Sequence, residues 1–198
     1  MKIDDAIRNR RTVRQYMPKK VPKAAVVKVI DAARWAPSAH NSQPWRFIVA
    51  EGEKKKDLAD ILARRNSKDV LLVKMLLTQS AEMISSASVS IIAYNNEPKR
   101  RRDTVPMSAK EKKMARVFDI QSTAASIQNL LLTAHSLGLG TAWLGAPLLR
   151  QEEIKRSFDI EGELMAVITV GYPVTHKSGT KTSRKSIKET ISFRSKRK

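Results

Sequence analysis

From Asp119 to about Leu137 the chain reads as one long helix. Ile120, Ala124, Ile127, Leu131 and Ala134 line one face, and Leu130 and Leu132 widen that stripe over most of the surface. A helix of this kind is buried on most sides, so the rest of the chain has to be built around it. The neighbouring segments alternate between helical and strand patterns. Pro22, suited to a first helical position, opens "PKAAVVKVIDAARWA", where Val26, Val29, Ile30 and Ala33 recur at helical spacing. "WRFIVA" (Trp45 to Ala50) and "SVSIIAY" (Ser88 to Tyr94) read as strands, with two charged helices, roughly 53–65 and 69–85, between them. Ser108 and Glu111 have capping-box spacing for a further helix. "GLGTAWLGAP" reads as turn, short strand and turn, and a helix near 151–157 and the strand "ELMAVITVGY" complete the globular part. The expectation is one α+β domain over residues 1–171, followed by an arm, 172–198, too poor in apolar residues to form a core.

Charge divides the chain in the same way. The net charge is +19, yet residues 1–47 carry 11 basic and 3 acidic residues and residues 172–198 carry 9 and 1. The positive potential therefore sits at the two ends, and it suits a nucleic acid, an anionic membrane or an anionic small molecule. Aromatic residues make up only 5%, and no basic motif is interleaved with them, so a nucleic-acid-binding module is the weaker reading. Cysteine is absent, which removes disulfides, thiolate metal sites, iron–sulfur clusters and a cysteine nucleophile together. His40, His135 and His176 have no metal-ligand spacing, so no metal is expected. His135 is expected to pack at the end of the long helix. No targeting segment or membrane-spanning run is apparent, and the expected location is the cytoplasm.

Three stretches carry chemistry. "RRTVR" (Arg10 to Arg14) offers rigid bidentate guanidinium groups suited to phosphate oxygens, although basic residues after a helix also answer its dipole. "APSAHNSQPWRF" (Ala36 to Phe47) sets small side chains and amides where they can approach a flat ring, or is an ordinary helix–strand loop. "GLGTAWLGAP" lacks the third glycine of a dinucleotide fingerprint, and it follows a helix where the fingerprint follows a strand. Its glycines let backbone amides approach a bound group, or form a plain helix cap before a strand. Lys99 to Arg102 reads as a solvated charge run, with recognition of a 2′-phosphate as the other reading.

Taken in order, these stretches resemble the nitroreductase family of FMN enzymes, with a matching layout from about Ile3 to Gly171. The resemblance implies an α+β sandwich with a central, mostly antiparallel sheet flanked by helices. It also implies an intertwined homodimer in which the basic arm lies on the partner subunit. Arg10, Arg11, Thr12 and Arg14 match the motif that holds the FMN phosphate and ribityl chain and reaches the pyrimidine edge. Arg14 would lie near N1 and O2, where negative charge develops on reduction. Pro37, Ser38 and Ala39, with Asn41 and Gln43 nearby, match a segment that touches the flavin from the partner subunit. Leu144 and Gly145 match positions whose backbone amides face N5 and O4, and Arg184, beside Lys185, matches a second phosphate contact from the arm. Some members add an Asn and a Lys from the helix before the second strand, where this chain has Ser80 and Met83, so neither role carries over. The implied activity is a ping-pong transfer of hydride from NAD(P)H through flavin N5 to an electron-poor acceptor such as a nitroaromatic or quinone. A flavin reductase acting on a precursor in deazaflavin-coenzyme biosynthesis is the alternative within the same resemblance.

Overall fold

The computed structural model describes residues 1–64, 66–96, 106–174 and 182–194. Lys99 to Arg102 and His176 lie outside the described residues. Strands β1 (Trp45–Ala50), β2 (Val89–Asn95), β3 (Gly140–Leu144) and β4 (Glu163–Gly171) form one sheet in the order β1-β2-β4-β3, with every pairing antiparallel. Helices α1 (Ile3–Asn9), α2 (Lys23–Arg34), α3 (Gly52–Ala63), α4 (Leu71–Ser86), α5 (Ala109–Ser136), α6 (Gln151–Ser157) and α7 (Ile187–Thr190) surround it. The architecture is an α+β sandwich.

Both sheet faces are covered, which explains the almost unbroken apolar run in β2. Val89, Ile91 and Ala93 pack with Val26, Val29, Ile127, Leu130 and Ala134 of α2 and α5. Ile92 points the other way, toward Leu58, Leu62, Leu77 and Ile84 of α3 and α4 and Ile154 of α6. Alternation by strand period thus divides one strand between two cores.

Two details differ from the sequence pattern. The segment after Ser108 and the long helix from Asp119 are a single helix, α5, because no glycine or proline interrupts 109–136. Its start carries the capping box: the Ser108 hydroxyl accepts from the Glu111 amide at 3.3 Å, and the Ser108 amide donates to the Glu111 carboxylate at 2.7 Å. Pro22 is the N-cap of α2 rather than its first residue, with ψ 140°, and its carbonyl accepts from Ala25 and Val26.

At its far end α5 stops on Gly138, whose φ of +74° is the left-handed conformation that closes a Schellman motif. The Gly138 amide donates to the His135 carbonyl and the Leu139 amide to the Ala134 carbonyl, at 3.0 and 2.9 Å. The chain then turns into β3, which is an edge strand. Residues 12–17 lie across the end of the sheet: the Val13 amide donates to the Thr141 carbonyl at 2.9 Å, and the Met17 amide to the Tyr172 carbonyl at 2.8 Å. This crossing depends on the absence of side chains beneath it. A Cβ on Gly140 would stand 2.7 Å from Val13 Cγ2, and one on Gly171 would stand 2.7 Å from the Tyr16 ring. Gly140 therefore makes room for Val13, not for a ligand. The Tyr16 hydroxyl donates to the Val13 carbonyl at 2.8 Å and meets Thr169 Oγ1 at 2.7 Å, and burial raises its pKa.

Of the arm, Tyr172 packs against the core and Pro173 is buried, whereas 182–194 are exposed throughout, with Phe193 at 89%. Its one short helix, α7, is held by a capping box between Ser186 and Glu189.

Candidate active site

The turn from α5 into β3 brings two arginines and a histidine together. Arg10 and Arg11 line a cavity of about 150 Å³ with His135 and the backbone from Gly138 to Thr141. Burial lowers the pKa of the half-buried Arg10 guanidinium, and the charges of Arg11 and Arg184 lower it further. His135 is lowered by burial first and then by the same two N-terminal arginines. Like charges held against one another and partly removed from water form a site that an anion would relieve. Arg184, from the arm, is thus near enough to act on the charge of Arg10. His135 was legible only as a residue packed at a helix end. Its place beside Arg10 arises because the Schellman turn folds β3 back under "RRTVR".

Not every arginine of that stretch points at the cavity alone. Arg11 Nη1 donates to the carbonyls of Arg8 and Arg10 at 2.6 and 2.9 Å, so it also caps the end of α1. Arg184 Nη1 donates to Thr182 Oγ1 at 2.6 Å, which braces it within the arm. Thr12 forms the bridge to Thr141.

Arg14 lies in a second cavity, of about 590 Å³, with Gln15 and Tyr16 on one side and Gln79, Glu82, Met83 and Ser86 of α4 on the other. Of the two α4 positions singled out from sequence, Met83 lines this cavity. Ser80 is buried and donates to the Leu76 carbonyl at 2.8 Å. Gln79 and Glu82 are the polar groups that sequence reasoning missed. Their spacing with Met83 and Ser86 marks a single helix face.

Leu144 and Gly145 sit at the other end of β3, three and four residues, or about 10 and 13 Å, beyond Thr141 at strand rise. The Leu144 side chain is buried in the core with Ile154 and Val167, so only its backbone can meet a ligand. Gly145 is exposed, and a Cβ there would touch nothing within 4 Å.

Pro37, Ser38, Ala39, Asn41 and Gln43 form a separate group. The Ala39 amide donates to Ser122 Oγ at 3.4 Å, and the Gln43 amide to Ser38 Oγ at 3.0 Å. Ser122 and His135 are thirteen residues apart on α5, about 20 Å along its axis. On one chain, then, this loop does not adjoin the Arg10 cavity. It is conformationally unusual: His40, Asn41 and Gln43 have φ of +52°, +54° and +48°. Ser42 Oγ, between them, is buried without a partner among the described residues.

No group of three or more His, Asp or Glu side chains able to hold a metal occurs among the described residues, and no described helix is long and apolar enough to cross a membrane. The family model described as "Nitroreductase family" matches residues 7–172. The chain belongs to the nitroreductase family. Its class of chemistry is oxidation–reduction. A Methanothermobacter thermautotrophicus nitroreductase relative, named "Putative NADH dehydrogenase/NAD(P)H nitroreductase", is 33% identical over 177 residues, covering 87% of this chain and 78% of its own. The iodotyrosine deiodinase of Thermotoga neapolitana is 25% identical over 179 residues, covering 85% and 87%. Among solved nitroreductase-like structures, a "putative nitroreductase" from Desulfovibrio desulfuricans in complex with FMN superposes with a TM-score of 0.74. It is 27% identical, covering 98% of this chain and 97% of its own.

Proposed function

We propose that the protein is an FMN-dependent oxidoreductase that takes hydride from NAD(P)H and delivers it to an electron-poor small molecule, working as a homodimer. The observation that carries this reading is that Arg10, Arg11 and His135 line one cavity, with Arg184 near enough to act on Arg10, where a phosphate dianion would relieve the repulsion among the arginines and their desolvation. The family match and the FMN complex of a relative supply the identity of the phosphate's owner. Bound FMN supplies a ring that accepts hydride at N5 and passes it on.

The chain's own residues hold and polarise that group. Arg10, Arg11 and Arg184 grip the phosphate, and Thr12 adds a neutral donor. Arg14 brings a positive charge to the pyrimidine edge, where it favours negative charge on the ring. The backbone at Leu144 and Gly145 offers amides near N5 and O4, and it needs no particular side chain to do so. Pro37, Ser38, Ala39, Asn41 and Gln43 come from the second subunit. Their distance from Arg10 within one chain supports that division, as does the fully exposed arm at 182–194. The acceptor is left as a chemical class, because one relative is named for dehalogenation rather than nitro reduction.

The purified protein is expected to show flavin absorption, and NAD(P)H oxidation is expected to give parallel double-reciprocal lines as the acceptor is varied. Arg10→Ala is expected to weaken FMN retention by about 1.5–3 kcal/mol, the scale of a hydrogen bond to a charged group. Unchanged FMN occupancy in that variant would remove Arg10 from the site, and a colourless wild-type protein that FMN does not restore would remove the function.

A further inference from the structure

We propose that the cleft next to the Arg14 cavity binds the phosphate-bearing adenosine end of the electron donor, and that Lys19 and Lys20 make NADPH the preferred donor over NADH. This rests on the function proposed above. The cleft has a volume of about 740 Å³, within the usual range for a small-molecule site, and it shares Tyr16 and Ser86 with the Arg14 cavity. A dinucleotide with its nicotinamide beside Arg14 is too long for that cavity, and the adjoining cleft receives the remainder. Lys19, Lys20 and Lys55 line it, with Glu51 as its acidic residue.

The three lysines differ in availability. Lys55 donates to the Ser85 carbonyl at 3.0 Å and to the Ala87 carbonyl, and burial lowers its pKa, so it serves the end of α4. Lys19 is placed by its own environment, with its ammonium 4.4 Å from the centroid of the Tyr172 ring. That contact fixes the cation at the rim without using its hydrogen-bond donors. Lys20 is exposed beside it. Two cations with free donors suit the extra dianion that distinguishes NADPH, whereas the pyrophosphate is common to both donors.

The test compares Lys19→Ala and Lys20→Ala with Lys112→Ala. Lys112 lies in the first turns of α5, whose Arg116 pairs with Glu163 at the opposite end of the sheet from the cleft. The KM for NADPH is expected to rise about 10-fold or more in the two cleft variants. Their kcat, KM for NADH and FMN content are expected to stay unchanged, and Lys112→Ala is expected to leave all four unchanged. Calorimetric titration with 2′,5′-ADP is expected to weaken in parallel, and it reads the cleft even if the protein oxidises neither nucleotide. Equal rises for NADPH and NADH, the same rise in Lys112→Ala, or no 2′,5′-ADP binding to the wild type would overturn the proposal. Loss of all turnover with 2′,5′-ADP binding intact and lysine-dependent would overturn the oxidoreductase reading instead.

Discussion

Replacing Gly140 by alanine probes the link between the two stretches that resemble a flavin site. The new Cβ would lie 2.7, 2.8 and 2.9 Å from Val13 Cγ2, Cβ and Cγ1, against an ordinary carbon–carbon contact of about 3.5–4.0 Å. Val13 is buried and β-branched, so no rotation of a flexible end relieves all three contacts. Either β3 or the Arg10–Arg14 segment must move by about 1 Å. Overpacking of this kind costs about 1–3 kcal/mol, and for a domain of this size each kcal/mol lowers Tm by about 2–4 °C. The expected loss is therefore about 2–12 °C, together with weaker FMN binding, because Arg10 and Arg14 flank the displaced residue. The decisive measurement is a double-mutant cycle with Val13→Ala, which removes two of the three opposing atoms. In the Val13→Ala background, Gly140→Ala should cost markedly less, because only the 2.8 Å contact with Cβ remains. If it costs the same in both backgrounds, the clash is not the mechanism and Val13 does not pin the arginine motif to β3.

Two further perturbations test other parts of the molecule. Arg150 and Asp69, 8% and 12% exposed, form an ion pair that ties the short helix after Gly145 to the α3–α4 turn. Asp69→Ala leaves the buried guanidinium with Glu153 alone, 3.7 Å from Nε, at up to about 3–5 kcal/mol, while an Arg150→Met/Asp69→Leu double substitution should cost much less in chemical denaturation. Comparable losses in the two proteins would refute a cost that arises from the buried charge losing its nearer partner. His135 has a lowered pKa in the fold, so between that value and its ordinary 6.5 the unfolded chain holds a proton that the folded chain does not. Stability of the flavin-free protein should therefore rise with pH across that window and be fully reduced below the folded value. Urea midpoints measured between about pH 5 and pH 7 should show a steeper rise in wild type than in His135→Gln, and identical slopes would refute the assignment.

Much of this was legible in the sequence because periodicity reports burial. β1 lies at Trp45–Ala50 and α6 at Gln151–Ser157, as the patterns required, and Ile127, Leu131 and Ala134 face the core of α5. What periodicity does not report is which elements meet. Nothing local to Gly140 says that its missing side chain is filled by Val13, since that contact joins residues far apart in the chain. The same holds for His135, which periodicity assigned to a helix end and tertiary folding set beside Arg10.

The loop at His40–Gln43 shows a different limit. His40 and Asn41 are of the types that tolerate a left-handed backbone best, but Gln43 has no local reason to adopt one, and such positions cost about 1–3 kcal/mol each. A chain retains that strain only where the surroundings over-determine it. Within one chain the polar contacts of this loop are mostly with its own neighbours, such as the Asn41 amide with the Ser38 carbonyl, the Ser42 amide with the Ala39 carbonyl and Ser38 Oγ with the Gln43 amide, while Ser42 Oγ is buried and unmatched among the described residues. The proposed dimer accounts for the balance, since the loop would then meet a flavin ring held by the other subunit's arginines. On that argument FMN should protect the amides of residues 38–43 from hydrogen exchange as strongly as it protects those of residues 10–14. Protection confined to residues 10–14 would separate the loop from the site.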